Sequence, residues 1–153
     1  MNNKYLSLGL ILLVTFAASG IGGFVTSSFK EPWYSEIILP TFNPPSWVFS
    51  PVWTALYILM SVAIWIVWSK TSDKKFLQLY FVHLFFNAIW SIIFFGFHQI
   101  FIALIDLGII LIFIIWLMKI YYQASKISFL LMIPYLLWSS YALILNTTIF
   151  YLN

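Results

Sequence analysis

The chain has no cysteine, no arginine and only two histidines, and its charged residues, seven lysines and four carboxylates, make up 7% of 153 positions. Each shortage closes off a class of function. Without cysteine there are no disulfides, no thiolate nucleophile and no Cys-ligated metal, and His83 and His98 alone cannot assemble a metal cluster. The net charge of +3 is scattered over loops instead of forming a basic stripe, so it does not mark a nucleic-acid surface. No internal repeat is visible, which argues against an inverted-repeat transporter. With 63% hydrophobic residues and a mean hydropathy of +1.02, a soluble domain is excluded and an integral membrane protein is what remains.

Charge-free runs cover residues 5–29, 37–69, 76–105 and 127–153, and a further apolar stretch ending at Lys119 is interrupted only by Asp106. A membrane-spanning helix needs about 20 apolar residues. The pattern therefore predicts an all-α integral membrane protein, a bundle of five transmembrane helices at about 5–26, 46–68, 78–96, 100–120 and 128–150. They form one domain, 1–153, whose single long connection is the first loop, 27–45. The lysines report orientation. Lys4, Lys70, Lys74, Lys75, Lys119 and Lys126 fall on the N-terminal side and Lys30 alone falls opposite, which places the N-terminus in the cytoplasm and the C-terminus outside. The missing arginine and abundant Ile, Lys and Asn fit an AT-rich bacterial genome, hence a bacterial cell membrane.

The first span admits a second reading, because Lys4 followed by a short apolar run and small residues resembles a cleavable signal peptide. Its apolar run continues to Phe29, longer than such a signal needs. The stripe Thr15, Ser19 and Gly23, with Ala18 and Gly22 alongside, offers a face another helix can approach closely. In the loop, Pro32, Pro40, Pro44 and Pro45 restrict the backbone, Trp33 and Tyr34 suit either the membrane interface or a fold-back over the bundle mouth, and Pro44–Pro45 before Ser46 signals a helix start.

What the chain has in excess is aromatic surface. The second span, WVFSPVWTALYILMSVAIWIVW, carries Trp47, Trp53, Tyr57, Trp65 and Trp68 where a lipid-facing helix would carry Leu, Ile and Val. Trp53 and Tyr57 are four apart and share a face, and Pro51 frees a carbonyl that only a neighbouring helix or a cavity can satisfy. In the third span His83, Asn87, Trp90, Ser91 and Phe94 form a polar and aromatic stripe. Asn87 either bonds a neighbouring helix or addresses a ligand, and His83 is a hydrogen-bonded structural residue or, less simply, a porphyrin-iron ligand. Asp106 is the only carboxylate inside a span. Such a charge costs roughly 2.5 to 3.5 kcal/mol at a helix centre, so it must face the interior and find a donor or a proton. With no second intramembrane acid, hydrolase and proton-pump chemistry are disfavoured. The fifth span sets Tyr135, Trp138, Ala142 and Leu145 on one face, after Pro134.

The segments PSWVFSPVWTALYILM, NAIWSIIFFG, ALIDL and PYLLWSSYALILN, in this order and spacing, resemble the TspO/MBR family of tryptophan-rich sensory proteins and translocator proteins from about Trp33 to the C-terminus. The resemblance implies a five-helix bundle, often a homodimer, that binds porphyrins such as protoporphyrin IX and isoquinoline or benzodiazepine-type ligands beneath the first loop. It carries the ligand-binding role to Trp53, Tyr57, Asn87, Trp90, Asp106, Trp138 and Ala142, and Leu145 joins them as a neighbour on the last helix's shared face. Should light-dependent oxidative degradation of the porphyrin occur, Trp138 and Trp53 are the redox-capable neighbours, with the porphyrin itself as photosensitiser. No resident cofactor is implied, the porphyrin being ligand or substrate, and transport of porphyrin or lipid is a third reading. One departure stands out: Tyr151 is followed only by Leu152 and Asn153, so the basic residue of the cholesterol-associated pattern is missing.

Overall fold

The computed structural model describes residues 4–153. Six α-helices follow in order: α1 (Lys4–Phe29), α2 (Trp33–Glu36), α3 (Ser46–Thr71), α4 (Lys74–Ser91, prolonged by a π-helical turn, Ile92–Gly96), α5 (Ile100–Ala124) and α6 (Lys126–Leu152). All but α2 are long and apolar enough to cross a membrane. The chain is a multi-pass, all-α membrane protein. Each long helix extends the span read from the sequence by up to four residues at an end, because polar residues at a membrane surface continue a helix that hydropathy alone would stop.

Local chemistry sets the boundaries. Pro45 precedes the first turn of α3, where its missing N–H costs nothing. Ser72 ends α3 in the left-handed conformation, and the Asp73 carboxylate caps α4 by accepting from the Lys75 amide at 2.9 Å. Ser125 separates α5 from α6 and caps the latter. Pro51 and Pro134 lie inside continuous helices.

The long helices alternate in direction, so Lys4, Lys70, Lys74, Lys75, Lys119 and Lys126 gather at one end and Lys30 stands at the other with the first loop. The core divides accordingly. A large cluster built on Met60, Ile64, Tyr80, Ile114, Leu117, Tyr121, Met132 and Tyr135 fills the lysine-rich half. A smaller one, Phe94, Ala103, Leu145 and Ile149, lies under the loop with Trp33, Tyr34 and Leu39 packed on it. α1 is the most lipid-exposed span, yet it is tied in where Thr15 Oγ1 meets Tyr80 Oη at 2.7 Å and where Trp65 Nε1 donates to the Lys4 carbonyl at 2.9 Å. At Gly22 a Cβ would stand 3.2 Å from Ser91 Oγ, so a small residue there sets the approach of α1 to α4.

The first loop is a built lid. Trp33 stacks on His98 with ring centres 4.5 Å apart and meets Phe94 edge-on, while Tyr34 packs on Phe95. Of the two readings of these aromatics, the structure takes the fold-back. Asn153 clamps the loop from the end of α6: its Oδ1 accepts from the Ile38 amide at 2.8 Å and its Nδ2 donates to the Ile38 carbonyl at 3.0 Å. Tyr141 Oη donates to the Phe42 carbonyl at 2.5 Å.

Candidate functional site

Beneath that lid lies a cavity of about 490 Å³ walled by α1, α3, α4 and α6, with Leu107 and Ile110 of α5 behind. The volume falls within the roughly 300–1,000 Å³ typical of small-molecule sites. One wall is Phe49, Trp53 and Tyr57 of α3 with Trp138 of α6: Trp53 lies stacked over Tyr57 at 5.4 Å and Phe49 meets Trp138 edge-on at 5.9 Å. Trp90 of α4 and Phe94 of its π-helical turn also line the cavity, stacked at 4.9 Å and 14°. These rings both pack on the core and border the cavity. Trp53, Trp90 and Trp138 each keep a part-exposed face, whereas Tyr57 is buried.

The cavity floor is a hydrogen-bonded chain crossing three helices. Tyr57 Oη donates to Asn87 Oδ1 at 2.7 Å, Asn87 Nδ2 donates to Tyr135 Oη at 2.9 Å, and Tyr135 Oη lies 2.8 Å from His83 Nε2. The Tyr135 hydroxyl thus accepts from Asn87 and meets His83 Nε2, while His83 Nδ1 is buried without a partner among the described residues. Of the two roles the sequence left open, Asn87 fills the interhelical one, joining α3, α4 and α6, and it also borders the cavity. His83 is fully buried within this chain and does not line the cavity. Trp90 Nε1 and Ser139 Oγ, both on lining residues, are buried and have no protein partner among the described residues.

Of the residues singled out from the sequence, Trp53, Tyr57, Asn87, Trp90, Trp138, Ala142 and Leu145 all come together on this cavity. Asp106 does not. It is buried on α5 one position before Leu107, which does line the cavity, and the 100° turn between consecutive helical residues carries its carboxylate elsewhere. None of the hydrogen bonds among the described residues involves it, and Oδ2 is buried without a partner.

The largest contribution missed in the sequence is α1, which supplies Ser19, Gly22, Gly23 and Thr26 to the cavity. The small-residue stripe was the available signal. Its Thr15 and Gly22 serve helix packing, and the rest of it leaves room for a ligand. Lys30 and Glu31 beside Tyr34 were missed as well. Burial raises the pKa of the Tyr34 phenol, against the opposing effect of its hydrogen bond to Asn43 and with Glu31 adding to the rise, so the group stays neutral. Among the described residues, Lys30 and Glu31 are the only charged ones lining the cavity, and no cluster could hold a metal ion.

Fold and cavity together define a polytopic membrane protein with an aromatic chamber closed at one end and covered by a loop at the other. The family model described as TspO/MBR matches residues 10–152, and the chain belongs to that family. It is 36% identical to the tryptophan-rich protein TspO of Chlorobaculum tepidum, over 100% of this chain and 99% of that one. It is also 33% identical to the tryptophan-rich sensory protein of Cereibacter sphaeroides (93% of this chain, 91% of the relative) and 34% identical to the human translocator protein (84% and 82%).

Proposed function

We propose that this protein is a membrane receptor or sensor whose cavity binds porphyrins, protoporphyrin IX among them, and isoquinoline or benzodiazepine-type ligands. The observation that carries the reading is the set of rings lining one cavity of about 490 Å³, Trp53 and Trp138 from α3 and α6 with Trp90 and Phe94 from α4 and its π-helical turn. A flat apolar ring system stacks in such a space with its polar edge toward the mouth. The protein acts in a bacterial cell membrane, N-terminus inside and C-terminus outside, as a homodimer and without a resident cofactor. Relatives named for sensing and for translocation are compatible with this role.

Titration of the purified protein with protoporphyrin IX should give saturable quenching of tryptophan fluorescence beyond that in empty micelles, and an isoquinoline ligand should compete for it. Quenching that does not saturate removes the reading.

Light-dependent oxidative degradation is the second reading, favoured by Trp53 and Trp138 bordering the same cavity. The porphyrin would act as photosensitiser and dioxygen as oxidant, with the indoles as redox-capable neighbours. Illuminated complex should then yield a bilin-like product, and Trp138→Phe should keep binding and lose turnover. Transport of porphyrin or lipid ranks third, because the sequence shows no inverted repeat and no ion-coupling pair.

A further inference from the structure

The cavity's interior is lined by rings, small residues, hydroxyls and one amide already engaged in the floor, and its only cation is Lys30. Lys30 follows directly on α1, and its side chain is held across the mouth. The ammonium donates to Ser46 Oγ at the start of α3 at 3.1 Å, stands 5.0 Å above the Tyr34 ring and lies 3.8 Å from Glu31 Oε1. The last contact is loose. Glu31 is more than half exposed and turns its other oxygen to the Ser35 hydroxyl, whereas the Lys30 side chain is only 24% exposed. An ammonium has three donors, and Ser46 takes one.

We propose that Lys30 is the specificity-determining residue of this cavity and that the ligand class it selects is a flat aromatic body bearing a carboxylate at its edge. The carboxylate sits between the ends of α1 and α3, where it accepts from the Lys30 ammonium at charge-assisted distance and displaces the looser Glu31 contact. The rings enter first, toward Trp53, Trp90 and Trp138. A neutral aromatic of the same size fills the same volume but gains nothing at the mouth. Being part-exposed, the contact is screened by salt, so selectivity falls as ionic strength rises.

This inference rests on the porphyrin reading for its first test and is separable from it in the second. Affinities of protoporphyrin IX and of its dimethyl ester would be measured by tryptophan quenching on wild type, Lys30→Gln and Lys30→Arg. The parallel pair is 1-pyrenebutyric acid and its methyl ester. Wild type should prefer each acid over its ester by about tenfold; Lys30→Gln should lose that preference by weakening the acid alone, and Lys30→Arg should keep it. Unchanged ester affinity in Lys30→Gln shows that the variant is folded with its cavity intact. Acid preference in the pyrene pair alone would sink the porphyrin reading and leave Lys30 in its role. An acid-to-ester ratio that is the same in wild type and Lys30→Gln for both pairs overturns the proposal.

Discussion

From the lysine-rich end up to Tyr135 the interior is filled: Tyr80, Tyr121 and Tyr135, fully buried, interlock with Met60, Ile64, Ile114 and Leu117. Under the loop, Trp53, Trp90 and Trp138 stand part-exposed around a void. Both halves are aromatic and both lie within a bilayer, so composition does not distinguish them. What differs is whether the helices close on one another. In the closed half Tyr80 and Tyr135 bond side chains of other helices, Tyr80 to Thr15 and Tyr135 to Asn87 and His83, which binds helix to helix. Unpartnered buried polar atoms occur in both halves, Tyr121 Oη in the closed one and Trp90 Nε1 in the open one. A bundle without a hydrophobic driving force between its helices has to obtain stability from packing and such bonds. One half supplies that stability, and the other is free to remain hollow.

The largest effect should come from breaking the boundary between the halves. Tyr135→Ala removes a buried ring and leaves Asn87 and His83 facing a gap, so thermal unfolding in detergent should show a loss on the order of 3–5 kcal/mol. Tyr135→Phe, which keeps the ring and removes only the hydroxyl, should lose roughly 1–3 kcal/mol. Equal melting of Tyr135→Ala and wild type would dissolve the distinction between a supporting half and a hollow one.

A change confined to the lid should act on rates and spare stability. Asn153→Ala removes both hydrogen bonds to Ile38, and stopped-flow quenching should show ligand association and dissociation each faster by several-fold, with stability within about 0.5 kcal/mol of wild type. Unaltered rates would mean that the loop opens elsewhere.

The smallest effect is assigned to Asp106. Because no hydrogen bond among the described residues engages it and it does not border the cavity, Asp106→Leu should leave ligand affinity within twofold and should not lower the melting temperature. A drop in melting temperature would reveal a partner for the carboxylate.

Hydropathy located all five spans, since a bilayer admits little besides apolar helices of fixed length. The aromatic faces of the second, third and fifth spans were equally readable, because helical spacing alone places Trp53 with Tyr57 and Trp138 with Ala142. Less legible were features that depend on how helices turn toward one another. The stripe on α1 reads as packing until the helix is set beside α3 and α4, whereupon Ser19 and Gly23 line a cavity. Asp106 illustrates the converse: rarity inside a span marks it for attention, but its direction is fixed by the rotation of α5. The clamp between Asn153 and Ile38 joins residues 115 positions apart, and no local pattern announces it.

The central claim, that the hollow half is a ligand chamber walled by Trp138, is tested most directly by titrating protoporphyrin IX against wild type, Trp138→Ala and Trp138→Phe, with Trp116→Phe as a lipid-facing control. Trp138→Ala should weaken binding at least tenfold, Trp138→Phe by less because it keeps much of the stacking area, and Trp116→Phe should leave affinity unchanged. Wild-type affinity in both Trp138 variants would contradict the account and reduce the aromatic walls to packing.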